Sequence, residues 1–159
     1  MKKLYTMLLL VISLCTASCS DWLDVSPSNQ VNGDKLFEIG DGYRNALNGI
    51  YLNLGTSSMY GQTMSWGFMD AIAQYYKTDN GSNFIPKTSV YYKSAKFQFE
   101  DSDVKTFISN IWSVSYNNIA NCNNLILNVS EASPSVFKEG EFEKNMIWGE
   151  ALALRAFMH

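Results

Sequence analysis

At 159 residues, with 47% hydrophobic and 17% charged side chains, the chain lies in the ordinary globular range and has material for one modest core, so one domain or part of one is expected. Its formal net charge is −3, and removal of a leader containing Lys2 and Lys3 leaves 10 basic against 15 acidic residues. That sign argues against nucleic acid as a partner, because phosphates demand a basic face.

Residues 1–18 have the three parts of a secretory leader: Lys2 and Lys3, an apolar run over 4–14 too short to span a bilayer, then the small residues Thr16, Ala17 and Ser18. Cys19 follows directly. Lipid modification needs small residues before the cysteine, since a transferase must reach the thiol and a peptidase the preceding bond. Thr16 stands where the usual pattern has Leu, and Cys15, preceded by Leu14, fits poorly. Cys19 is therefore the expected lipidation site; the competing reading is a cleaved leader with an incidental cysteine. Each buried methylene of an acyl chain contributes about 0.8 kcal/mol, so more than one chain anchors the protein on a membrane without a transmembrane helix.

Residues 19–40 read as an extended tether, punctuated by Ser26-Pro27-Ser28-Asn29 and Asn32-Gly33-Asp34. The domain at 41–159 begins with a helix, because Tyr43, Ala46, Leu47, Ile50, Tyr51 and Leu54 share one face before Gly55. A second helical stretch is expected over 59–76, with Gly61 and Gly67 inside it, then a loop over 77–87. Alternation of Ala95, Phe97 and Phe99 with Lys96, Gln98 and Glu100 predicts a short strand or extended arm.

Asp101-Ser102-Asp103 opens the clearest helix, carried by Val104, Phe107, Ile108, Ile111, Trp112, Ser115, Ile119, Cys122 and Ile126 to about Asn128. The acids Glu100, Asp101 and Asp103 are read as a helix cap, which needs fewer assumptions than a calcium site. Cys122 is expected to be a small buried residue. After a loop over 130–140 with Pro134, a last helix starts near Glu141. Trp112, Trp148 and Phe157 are expected in the core, and Arg155 in a structural hydrogen-bonded pair. That helix reaches His159 without a stop signal, so a truncated chain is expected.

The class predicted from these residues is mainly α, with an extended N-terminal tether and a short extended arm. Catalysis finds no support: the single His is His159, no zinc or nucleophile arrangement is visible, and the glycines form no phosphate loop. No cofactor and no metal are expected.

Four stretches carry a family resemblance. Cys19-Ser20-Asp21-Trp22-Leu23-Asp24-Val25-Ser26-Pro27 resembles the mature start of SusD/RagB-like outer-membrane lipoproteins. The runs from Tyr43 to Tyr51, from Ile111 to Ile126 and from Gly149 to His159 resemble the same family in the same order. The resemblance implies a surface-exposed, lipid-anchored outer-membrane protein that captures oligosaccharide and passes it to a SusC-like TonB-dependent transporter, without catalysis. It also implies tetratricopeptide-like helix pairs, the first formed by the helices near 104–128 and 141–159. Family members are several times longer, so the chain matches their N-terminal part.

Sugar capture needs flat aromatic faces for the apolar side of a pyranose and amides or charges for its hydroxyls. Tyr75, Tyr76, Phe84, Tyr91 and Tyr92 supply the first, and Asn83, with Asn80, Lys87 and Lys93 nearby, the second. The bland reading is that these aromatics pack the arm onto the helices. Two other functions compete: a structural or adaptor lipoprotein that docks on another membrane protein without touching sugar, and a nonfunctional remnant of an interrupted gene.

Overall fold

Apolar residues three and four apart fall on one face of a helix, and that face must find a partner in order to leave water. In the computed structural model, which describes residues 33–78 and 85–159, 71% of the described residues are helical and none is in a strand. The chain divides at Lys35, and the features below belong to the unit Leu36–His159. Its helices are α2 (Gly40–Leu54), α3 (Phe68–Ile72), α4 (Val90–Ala95), α5 (Ser102–Glu131) and α6 (Glu141–Met158). A helical turn, α1 (Gly33–Leu36), comes before them.

Three helices share the main core. From α2 it takes Tyr43, Leu47, Ile50 and Leu54, from α5 Cys122, Leu125 and Val129, and from α6 Ile147, Ala151 and Leu154. Two contacts fix the direction of α2 against α6. Arg44 meets Glu143 and Tyr51 meets Glu150, seven residues further along both helices, so the two run parallel. Arg155 donates to Asn123 Oδ1 at 2.9 Å, while Lys144 donates to the Ala132 carbonyl at 2.8 Å, so α6 runs antiparallel to α5.

The joints follow from local chemistry. Asp101 caps α5 by accepting from the Asp103 N–H at 2.9 Å, satisfying one of the orphan donors of the first turn. Gly140 enters α6 at φ +60°, where a side chain is disfavoured; a Cβ would meet nothing there, so the demand is conformational. Glu143, buried in the first turn of α6, takes 3.2 and 2.7 Å bonds from Arg44 Nε and Nη2 and a 3.1 Å bond from the Glu139 N–H.

Several expectations are corrected. Residues 95–100 are not a strand: Val90–Ala95 is helical, and Phe97 closes that helix at φ +57°, with Phe97 N–H to Ser94 O and Gln98 N–H to Lys93 O. The alternation of Ala95, Phe97 and Phe99 is the footprint of a helix end and a turn. The stretch over 59–76 is not one helix either. It holds a π-helical segment, Thr63–Gly67, then α3, which ends at Gln74 with φ +63°. Within the supposed tether, Gly33–Leu36 and Gly40 are helical and residues 37–39 form the turn between them, with Phe37 packed against the core; residues 19–32 of the tether, Cys19 among them, and the leader lie outside the described residues. Trp112 and Phe157 are not core: they are 64% and 61% exposed. Both sit on the apolar stripe of their helices, but burial depends on what covers the stripe, and α6 meets α5 only as far back as Tyr116, where the His159 ring lies 6.3 Å away. Cys122 is fully buried, and Trp148 is partly buried against the core.

Candidate functional site

The π-helical segment, α3 and α4 pack beside the N-terminal half of α5. Phe107 on α5 is the post they share, with the Phe68 and Tyr91 rings each 5.7 Å from it, Tyr91 edge-on at 80°. Lys93 on α4 is pinned to the start of α5, 3.0 Å from Asp101 and 2.7 Å from Asp103. Gln74 completes the tie by donating to the Ala95 carbonyl at 2.7 Å. Short helices that could not stand alone are thereby held against a long one.

Between them lies a cleft of about 230 Å³ lined by Gln62, Trp66, Gly67, Ala71, Tyr76, Ile85 and Tyr91. The π segment shapes its wall: Gly67 N–H bonds to Gln62 O at 2.9 Å and Met64 N–H to Met59 O at 2.8 Å, five residues back in each case. Such widened turns often occur at functional positions because they re-aim side chains. Gly67 suits a close approach, since a Cβ there would sit 3.0 Å from Gln62 O and 3.4 Å from the Tyr91 ring, a tight fit that a small shift of the neighbours would have to relieve. Trp66, beside it, is 58% exposed.

The polar groups of the cleft are paired in a specific way. Gln62 Nε2 donates to Tyr91 Oη at 3.3 Å. Tyr76 Oη donates to the Trp66 carbonyl at 2.7 Å and lies 3.2 Å from Asp70 Oδ2. Desolvation, and after it the Asp70 carboxylate, holds the Tyr76 phenol above the ordinary tyrosine pKa.

The structure brings together Tyr76 and Tyr91 from the predicted site residues. Tyr75 is strongly exposed and does not line the cleft. Tyr92 does not line it either; its ring lies 5.8 Å from Lys96 Nζ. Asn83, Phe84 and Asn80 lie outside the described residues. Lys93 is occupied by the two aspartates. Sequence reasoning missed Trp66 and Gln62, which it placed on or beside an ordinary helix; the available signal was a tryptophan followed directly by glycine.

A second, apolar groove lies along α5, lined in part by Met69, Ile108, Trp112 and Tyr116, where Trp112 stacks on Tyr116 at 4.7 Å and 26°. Among the described residues there is no group of three His, Cys, Asp or Glu placed to hold a metal ion, and no helix long and apolar enough to cross a membrane. Arg155 pairs with the Asn123 side-chain oxygen, and Cys122 lies beneath it with its thiol pKa raised by burial. No family model, curated protein or solved structure matches the chain.

Proposed function

We propose that the chain is a carbohydrate-capture lipoprotein of the SusD/RagB-like kind, anchored at the outer membrane through Cys19 and serving a SusC-like TonB-dependent transporter. The observation that carries the reading is the convergence of Trp66, Tyr76 and Tyr91, from three separate segments, around one small cleft that also holds an amide and hydroxyls. An aromatic surface beside a few fixed polar groups suits a pyranose, which has an apolar face and a hydroxyl rim. The four family-like stretches supply the membrane, the transporter and the oligosaccharide as partners. In this reading the antiparallel α5 and α6 are the first tetratricopeptide-like pair, the N-terminal residues before α1 are the tether, and no bond is made or broken.

Affinity gel electrophoresis of the purified chain in neutral polysaccharides tests it. Retardation in at least one glycan, lost in Trp66→Ala and Tyr91→Ala at unchanged melting temperature, is expected; retardation indifferent to both substitutions, or none in any glycan, would sink the reading. The adaptor function is favoured by a different observation, the exposed apolar groove around Trp112. It predicts that Trp112→Ala, and not Trp66→Ala, disrupts crosslinking of the chain to a membrane partner.

A further inference from the structure

Resting on the carbohydrate reading, we propose that the cleft takes one uncharged sugar ring and rejects uronic acids and sulfated sugars, with Asp70 setting the discrimination. At about 230 Å³ the space is below the roughly 300 Å³ at which pockets for drug-sized ligands begin, which suits a single ring. Among the described residues, none of its lining side chains is charged. The cations nearest in sequence do not line it: Lys93 is held by Asp101 and Asp103, and Lys77 and Lys87 are exposed side chains outside the lining.

The hydrogen-bond inventory points the same way. The one Tyr76 hydroxyl proton is shared between the Trp66 carbonyl at 2.7 Å and Asp70 Oδ2 at 3.2 Å, so toward a ligand the Tyr76 oxygen can only accept. Gln62 uses one of its two Nε2–H groups on Tyr91, which leaves its Oε1 as a second acceptor and its other Nε2–H and the Tyr91 O–H as donors. A sugar hydroxyl can donate to the two acceptors and accept from the donors. A carboxylate or sulfate oxygen only accepts, so it can use the donors but leaves both acceptors unmet, and it sets its charge against Asp70 with no cation among the described lining residues to offset it.

The test uses the full chain in affinity gels containing matched pairs: fully methyl-esterified polygalacturonate and polygalacturonate, mannan and polymannuronate, glucan and its C6-oxidised form. The neutral member should bind at least tenfold more tightly than its acidic partner, and Asp70→Asn should narrow that ratio severalfold. Equal or tighter binding of the acidic member would overturn the inference, and an unchanged ratio in Asp70→Asn would remove Asp70 from it. If Asp70→Asn does not fold, Asp70→Ser removes the same charge, and a ratio that does not move in the folded variant overturns the role of Asp70. Binding of no polysaccharide of either kind would instead defeat the carbohydrate reading on which this rests.

Discussion

Ile147 lies at the centre of the three-helix core with no exposed surface, whereas Trp112, a much larger side chain on the apolar stripe of α5, is 64% exposed. Truncating the smaller residue should therefore cost far more. Ile147→Ala removes three carbons, worth about 2.4 kcal/mol at about 0.8 kcal/mol each, and incomplete collapse of the hole adds about 1 kcal/mol more, for about 3.5 kcal/mol in all. Trp112→Ala loses mainly its stacking on Tyr116, worth about 1 kcal/mol. Urea denaturation of both variants beside the parent, with slopes compared to confirm that the same transition is observed, measures the two differences. A Trp112→Ala loss equal to or greater than that of Ile147→Ala would refute the packing described for α5 and α6 and restore the face predicted from spacing.

Gln74 carries a left-handed backbone at φ +63°, a conformation that costs a side chain about 1–2 kcal/mol, and its amide bonds to Ala95 O. Gln74→Ala keeps the strain and loses the bond, so it should lower stability by about 1 kcal/mol, while Gln74→Gly should stay near the parent; equal losses in chemical denaturation would contradict this. Glu143 has its pKa lowered, first by the Arg44 hydrogen bond and then by the Glu139 N–H. A carboxylate with a depressed folded-state pKa contributes stability above its unfolded pKa of about 4.3 and loses it as pH falls through the folded value. Arg44→Met should therefore weaken the protein at neutral pH and converge with the parent in acid, and a constant gap across pH would count against the pair. Cys122, buried with its thiol pKa raised by desolvation, should react with a thiol reagent only at the rate of unfolding; prompt labelling of Cys122 itself in the native chain, located by peptide mapping, would be inconsistent with the core.

The long helices were legible because their signals are local. The three and four spacing from Val104 onward, the Asp101 cap and the acid-rich start of α6 are read directly from neighbouring residues. What spacing cannot show is how far a neighbouring helix reaches, so the stripe bearing Trp112 looked like core when its partner covers only part of α5. The short elements were misread for a related reason. Gln74 and Phe97 end helices in a left-handed conformation usually marked by glycine, and the π turn at Thr63–Gly67 leaves no periodic trace. The same features positioned the cleft, so of its aromatics only Tyr76 and Tyr91 were anticipated, as members of a broad aromatic segment, and the exposed Trp66 beside them was not.

The central claim is that a sugar ring meets the chain at Trp66. Labelling the four tryptophans with 5-fluorotryptophan, assigning the Trp66 line by its loss in Trp66→Phe, and titrating with a neutral oligosaccharide from a polysaccharide that retards the chain tests it most directly. The Trp66 resonance should shift in a saturable way while those of Trp112 and Trp148 stay in place; a shift at Trp112 with Trp66 unmoved, or no shift in any line, would contradict the account.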